Sequence, residues 1–329
     1  GWNITGDIVN CSYVLCTQIT MPQAGDTQVP ANSDIRWNPA PNATGYRISV
    51  RRENGATSQI IYNNEDVGNV VGVDFTNEFS SGDTIYVTVV PYNDEGPATG
   101  CQEISFTVIE SWVNSPEAFK LTYDTSIQSL FTTPTNQLKI ETNSGYPDYL
   151  TYNYSIDWGD GQYDNNVTGD ITHTYLIPGI YTVSIIGVFP SPKHETIGDS
   201  DKLLSIDQWG TQVWESMHEA FESCANMEYN ATDIPILSNV MDMERMFSSC
   251  RKFNGNINNW DVSNVTNMGG MFSGTSVYDQ PLNNWDVSNV TNMNYMFGSA
   301  SKFNQDIGNW NTGNVTNMGG LFQNGGVFS

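Results

Sequence analysis

The chain has 329 residues, with 12 Lys plus Arg against 36 Asp plus Glu and a formal net charge of −24. Such a polyanion repels nucleic-acid phosphate and anionic lipid, so neither is expected as a partner. No apolar run approaches the roughly 18 residues of a membrane-spanning helix, so no membrane insertion is expected. The chain opens at Gly1 and stops at "NGGVFS", where a further repeat begins. It reads as a segment of a longer protein, with any export signal or anchor outside it.

Residues 1–18 read as the tail of a preceding module and a linker. Residues 19–110 have an all-β pattern: "DIRWNPAP" and "TGYRISVRR" alternate apolar and polar residues, "DTIYVTVVPYNDEGPATG" is a strand followed by a turn-rich loop, and "CQEISFTV" is a last strand. "WNPAPNATGYRISV" with "TIYVTVVPYNDEGPAT" resembles a fibronectin type III domain, with Trp37, Tyr46 and Tyr86 at the family's core aromatic positions. The version resembles adhesin modules of Bacteroidetes, in which a Cys opens the domain and another lies on its last strand. That analogy implies a Cys16–Cys101 disulfide, with Cys11–Cys16 or a free thiol as alternatives and an oxidising compartment in either case. "DTI" at 83–85 is similar to the O-glycosylation motif of that phylum, which makes Thr84 a candidate glycan site.

Residues 111–200 form a second β region centred on "YSIDWGDGQYDNN" and "THTYLIPGIYTVSIIGV". "WGDG" and "HTY…G.YTV" resemble the signature of the PKD domain, an Ig-like sandwich used as an extracellular spacer or an accessory of carbohydrate enzymes. The resemblance gives His173 a structural role. No cofactor is expected, with one exception: Asp157, Asp160 and Asp164 are weak candidates for Ca²⁺, which takes about six to eight oxygen ligands. The alternative is a turn whose Asp side chains cap backbone amides.

Residues 201–329 repeat. Phe253, Tyr278, Phe303 and Phe328 are 25 apart, as are Trp260, Trp285 and Trp310, and Met268, Met293 and Met318; Phe221 precedes Phe247 by 26. A fixed period of this size predicts a solenoid whose coils bury their apolar residues against one another. Val265, Met268, Met271 and Phe272 share a face at helical spacing, with Ser263 placed as N-cap, which predicts a short strand and a short helix per coil. The units resemble BspA-like leucine-rich repeats of bacterial surface proteins, which read roughly "FN.DI..WDVSNVTNM..MF". The expected fold is therefore multidomain and mainly β: two Ig-like β-sandwiches, then a leucine-rich-repeat-type α/β solenoid with a 25–26-residue period.

Within the repeats, Trp260, Trp285 and Trp310 are either exposed rings for stacking on sugars or a buried ladder. Asn259, Asn284 and Asn309, and the columns at 264/289/314 and 267/292/317, are either a polar binding face or amides that bridge coils and satisfy backbone groups. Cys224 and Cys250 occupy equivalent sites on adjacent coils, within reach of a disulfide, or are buried thiols. "NVT" at Asn264, Asn289 and Asn314 has the form of a glycosylation sequon, which the repeat itself generates.

No HExxH, GxSxG, Walker A or CxxC motif is present, and abundance alone does not make a catalytic carboxylate pair, so no enzyme is expected. The family resemblances imply a non-catalytic segment of a large secreted or cell-surface adhesin, located outside the bacterial outer membrane. The sandwiches would be a stalk and the repeats an interaction surface for attachment or gliding. Expected partners are an extracellular surface, a glycan, or a host or neighbour-cell protein. Export through the type IX pathway and outer-membrane machinery would act on other parts of the parent chain. The alternatives are an accessory carbohydrate-binding region of a secreted polysaccharide-degrading enzyme, or a component of a structural surface filament.

Overall fold

The computed structural model describes residues 13–325, apart from 28, 32, 76–77, 110–111, 113, 129–131, 144–149 and 195–197. The protein is mainly β, and the helical element among the described residues is one 3₁₀ turn, Asp199–Lys202. None of the described helices is long and apolar enough to cross a membrane. The chain divides into two compact units, Gly1–Ser111 and Trp112–Ser329.

In the first unit, β1 (Ile19–Met21), β3 (Ile35–Trp37) and β6 (Gly72–Val73) form one sheet. A second has the order β2-β9-β7-β4-β5, from β2 (Val29–Pro30), β4 (Gly45–Asn54), β5 (Thr57–Gly68), β7 (Thr84–Asn93) and β9 (Ile104–Ile109), with β8 (Gly96–Pro97) paired to β7. Along β7 burial alternates residue by residue, so that Ile85, Val87 and Val89 face inward. This is the period-2 pattern of a strand with one buried face. The buried faces of the two sheets meet where Trp37 packs on Tyr46, with ring centroids 5.5 Å apart.

In the second unit, β10 (Phe119–Asp124), β12 (Asn153–Asp157), β13 (Tyr163–Val167), β15 (Ile180–Val188), β17 (Leu203–Gln208) and β18 (Glu228–Tyr229) make a sheet of order β13-β12-β15-β10-β17-β18. A smaller sheet runs β14-β11-β16, from β11 (Gln137–Thr142), β14 (Ile171–Thr174) and β16 (Pro192–Lys193). The boundary read at residue 200 falls inside this architecture. β17 pairs antiparallel with β10, and β18, within the first repeat, adds in parallel to β17. One buried cluster extends from Phe119 through the repeats to Phe303.

The repeats stack coil on coil. Phe221, Phe247, Phe272, Phe297 and Phe322 form one ring ladder, with successive centroids 5.9, 5.9, 5.5 and 5.6 Å apart. Phe253, Tyr278 and Phe303 form another at 5.7 and 6.0 Å. Backbone rungs fix the register: the N–H groups of Met268, Gly270, Phe272 and Gly274 donate to the carbonyls of Asn292, Asn294, Met296 and Gly298 on the next coil. The same four-rung set recurs from Met243 and from Met293.

The helix expected in each coil is absent, and the physical reason is conformational. Gly270 and Gly274 have φ of +63° and +73°, and their equivalents Arg245, Ser249, Tyr295 and Ser299 lie between +53° and +63°. An α-helix cannot pass through left-handed residues every fourth position. Alternate N–H groups are committed to the next coil, while those between them close three-residue turns, as from Met271 to Met268 and from Thr275 to Phe272. Ser263 is no N-cap; its N–H and hydroxyl donate to Asp261 Oδ1 in a local turn.

Candidate functional site

Most sequence-flagged residues are structural. Cys16 and Cys101 are disulfide-bonded, with Cα atoms 5.2 Å apart. Cys11 lies outside the described residues. Cys224 and Cys250 are buried free thiols, and burial pushes both well above the usual thiol pKa. The Cys250 thiol donates to the Phe221 carbonyl. Thr84 opens β7 half-buried, opposite Thr107 and Glu53.

The three Ca²⁺ candidates do not converge on a common point. Asp157 Oδ1 accepts the Gly159 N–H, Asp164 Oδ2 accepts the Trp158 indole N–H, and Asp160 contacts Gln162 and His173. Burial acts to raise the Asp160 carboxyl, but His173 and Gln162 outweigh it and hold it below the usual range. Trp158 in turn stacks on His173 at 4.8 Å, and its carbonyl accepts the Tyr175 hydroxyl. In the "WGDG" stretch each of the three carboxylates thus accepts a local hydrogen bond that shapes the turn.

The Trp column is a ladder and not a row of exposed rings. Trp260 and Trp285 are 3% and 4% exposed, and the half-buried Trp310 stacks on Trp285 at 6.4 Å. The indoles of Trp285 and Trp310 donate to the carbonyls of Ile257 and Leu282, one coil back. Asn259, Asn284 and Asn309 are exposed, and Asn309 Nδ2 donates to the Asn283 carbonyl. Asn264, Asn289 and Asn314 donate their amides to the carbonyls of Ser238, Ser263 and Ser288 on the preceding coil. Those amides satisfy corner carbonyls at every coil, as backbone accounting requires.

The outward polar face of the turn ladder was not singled out at the sequence level. A groove of about 330 Å³ crosses four coils there, walled by Glu222, Glu244, Arg245, Ser273, Asn294 and Tyr295 and floored by Gly269 and Gly270. The glycine keeps the floor low: a Cβ at Gly269 would lie 2.8 Å from the Asn292 side-chain amide, which would have to shift. The column Arg245, Gly270, Tyr295, Gly320 alternates large side chains with glycine, all at positive φ. A Cβ at Gly270 would meet Arg245 Cγ at 3.3 Å, and one at Gly320 would meet the Tyr295 ring at 2.5 Å. Each long side chain therefore lies across a glycine on the next coil. Tyr295 remains 45% exposed. The wall combines acceptors at the carboxylates, donors at the guanidinium, both at the amide, and one open aromatic face.

At the head of this groove stand His218, Asp242 and Glu244. One ligand atom from each lies within 4.8 Å of the others, the only such group of three among the described residues. The Met217 and Glu219 N–H groups donate to the Asp242 and Glu244 carbonyls at 2.9 Å, locking the two coils on either side of His218. His218 Nδ1 is 3.5 Å from Asp242 Oδ2, and its Nε2 is 3.6 Å from Glu219 Oε1. Burial lowers the His218 pKa, but Asp242, Glu219 and Glu244 outweigh it and raise the group above its ordinary value. Glu222 is raised by burial and by Glu219, with Arg245 opposing. The signal was legible as a column: His218 and Glu244 are 26 apart, the same step as Phe221 to Phe247.

Residues 215–329 match a family described as "Mycoplasma protein of unknown function, DUF285". No curated protein matches the chain. Among solved structures, the chain is similar to a native α-L-rhamnosidase from Aspergillus terreus at 10% identity and a TM-score of 0.23, over 58% of this chain and 26% of that one. The chain thus spans about a quarter of that structure's length.

Proposed function

We propose that this chain is a binding segment of a bacterial cell-surface adhesin, with the repeats as the interaction surface. In this reading the first unit is a fibronectin type III-like sandwich, the strands from β10 onward are a PKD-like sandwich, and the repeats are a BspA-like solenoid built of turns in place of helices. The supporting observation is the continuous stack. Backbone rungs join each coil to the next, and one core runs from the sheet of the second unit to Phe303. Such an array holds a long face rigid, and a rigid face loses little entropy on binding. The groove between Glu222 and Tyr295 offers paired donors and acceptors beside an open ring, which suits a polyhydroxylated glycan.

A glycan array probed with the intact chain, followed by attachment assays on cells, tests this reading. Specific glycan binding that falls at least tenfold in Tyr295→Ala and Glu244→Gln is the expected result. Binding that survives both substitutions, or attachment unchanged when the repeats are deleted from the parent protein, overturns it.

A further inference from the structure

We propose that His218, Asp242 and Glu244 form a binding site for a divalent first-row transition metal ion such as Zn²⁺. The proposal does not depend on the glycan reading. It begins with donor chemistry: one imidazole and two carboxylates suit Zn²⁺, Ni²⁺ or Mn²⁺ better than Ca²⁺ or Mg²⁺, which prefer all-oxygen shells.

The geometry is close to what such an ion needs. With bonds of about 2.0–2.2 Å, a tetrahedral ion holds its ligand atoms roughly 3.4 Å apart. His218 Nδ1 and Asp242 Oδ2 stand at 3.5 Å, and the whole trio lies within 4.8 Å.

The support around the trio is already built. Asp242 Oδ1 accepts the Glu244 N–H at 2.8 Å, which turns Oδ2 toward the imidazole. Glu244 Oε2 accepts Asn267 Nδ2 at 2.9 Å, which fixes that carboxylate. The His218 carbonyl accepts Asn143 Nδ2 at 3.1 Å, tying its coil to the end of β11. Outer hydrogen bonds of this kind orient ligands before an ion arrives.

The surrounding charge also favours a cation. Glu219, Glu222, Asp242 and Glu244 gather around His218, with Arg245 as the nearby guanidinium, paired to Glu219 at 3.4 Å and Glu222 at 4.0 Å. All three ligands are half-buried, so the ion is reached from outside and keeps coordination positions open. Glu244 is shared with the groove wall, which places those positions beside it.

The test is isothermal titration of the chelator-treated chain, carrying no polyhistidine tag, with Zn²⁺ and separately with Ca²⁺. Co²⁺ absorption serves as an independent readout of nitrogen and oxygen ligation. We expect one saturable Zn²⁺ site per chain, no comparable Ca²⁺ binding, and a loss of about 10–100-fold in Zn²⁺ affinity for His218→Gln and for Asp242→Asn. Matching far-UV spectra and melting temperatures of the variants without metal show that folding is intact. Zn²⁺ binding unchanged in either variant, a thiolate charge-transfer band with Co²⁺, or no saturable binding overturns the proposal.

Discussion

Replacing Phe272 by Ala tests whether the coils stabilise one another through the ring ladder. Phe272 is fully buried, with Phe247 at 5.9 Å on the coil before, Phe297 at 5.5 Å on the coil after and Tyr278 at 4.4 Å within its own coil. Removing the ring leaves a cavity lined from three sides, and buried Phe→Ala changes cost about 3–5 kcal/mol. Phe322 is the comparison. It is half-buried and stacks on Phe297 at 5.6 Å at the end of the described ladder. Its partly exposed ring has less buried area to lose, about 1–2 kcal/mol. Urea unfolding followed by tryptophan fluorescence reads both, because Trp260, Trp285 and Trp310 lie in the same coils. Stability here is a sum of nearest-neighbour terms, so the inner substitution costs two to three times the outer one. Equal costs within about 0.5 kcal/mol, the usual error of additivity, would refute the coupling.

Cys101→Ser opens a disulfide that spans 85 residues, and the chain-entropy relation gives a loss of about 4.5 kcal/mol for the first unit. Mild reduction of the wild type should lower the same thermal transition and leave the variant unchanged. Trp285→Phe keeps the stacked ring but removes one of the two hydrogen bonds to the Ile257 carbonyl, which keeps the Trp260 N–H, for about 0.5–1.5 kcal/mol in the same urea assay. His194 is buried, its Nδ1–H donating to the Ala220 carbonyl and its Nε2 paired with the Tyr123 hydroxyl; burial lowers its pKa from the ordinary 6.5. Below that value the unfolded chain takes up a proton that the folded one refuses. Stability should therefore fall by up to about 1.4 kcal/mol per pH unit from 6.5 down to the depressed value, and His194→Gln should flatten that slope in pH-dependent melts.

The sequence made the core legible and the backbone illegible, for one physical reason. Core columns are set by what must be buried, so Phe247, Phe272 and Phe297 declare themselves through spacing alone. The conformation that carries them does not. Met268, Met271 and Phe272 have the spacing of a helix face, yet successive three-residue turns place the same residues inward. Glycine at 270, 274 and 320 was the available sign of left-handed backbone, but Arg245, Ser249 and Tyr295 in the same columns concealed it. The strand after residue 200 was ambiguous for a different reason. "LLSIDQ" reads equally well as the first leg of a repeat or as a strand, and pairing with β10 decides it. The His218 group needed the register between coils, which the sequence contains only as a 26-residue step between unlike residues.

The inner and outer columns of the array repeat on different terms, and this bears on where specificity can reside. Inside, residues of similar size and polarity return on every coil, as in Phe253, Tyr278 and Phe303, because each position meets the same neighbours above and below. Outside, the column Glu219, Arg245, Gly270, Tyr295, Gly320 mixes large, unlike side chains with glycine at one left-handed position. A non-glycine residue at positive φ costs roughly 1–2 kcal/mol, and Arg245 and Tyr295 carry that cost where glycine stands on the coils between. The core gains nothing from it, since Tyr295 is 45% exposed and the Arg245 side chain 52%. The strain is better explained by the groove these two residues wall. His218 and Glu244 break the repeat in the same way, by placing unlike, chemically active groups at equivalent positions. The identical copies therefore build the scaffold, and the chemically distinct groups stand at the positions that depart from them.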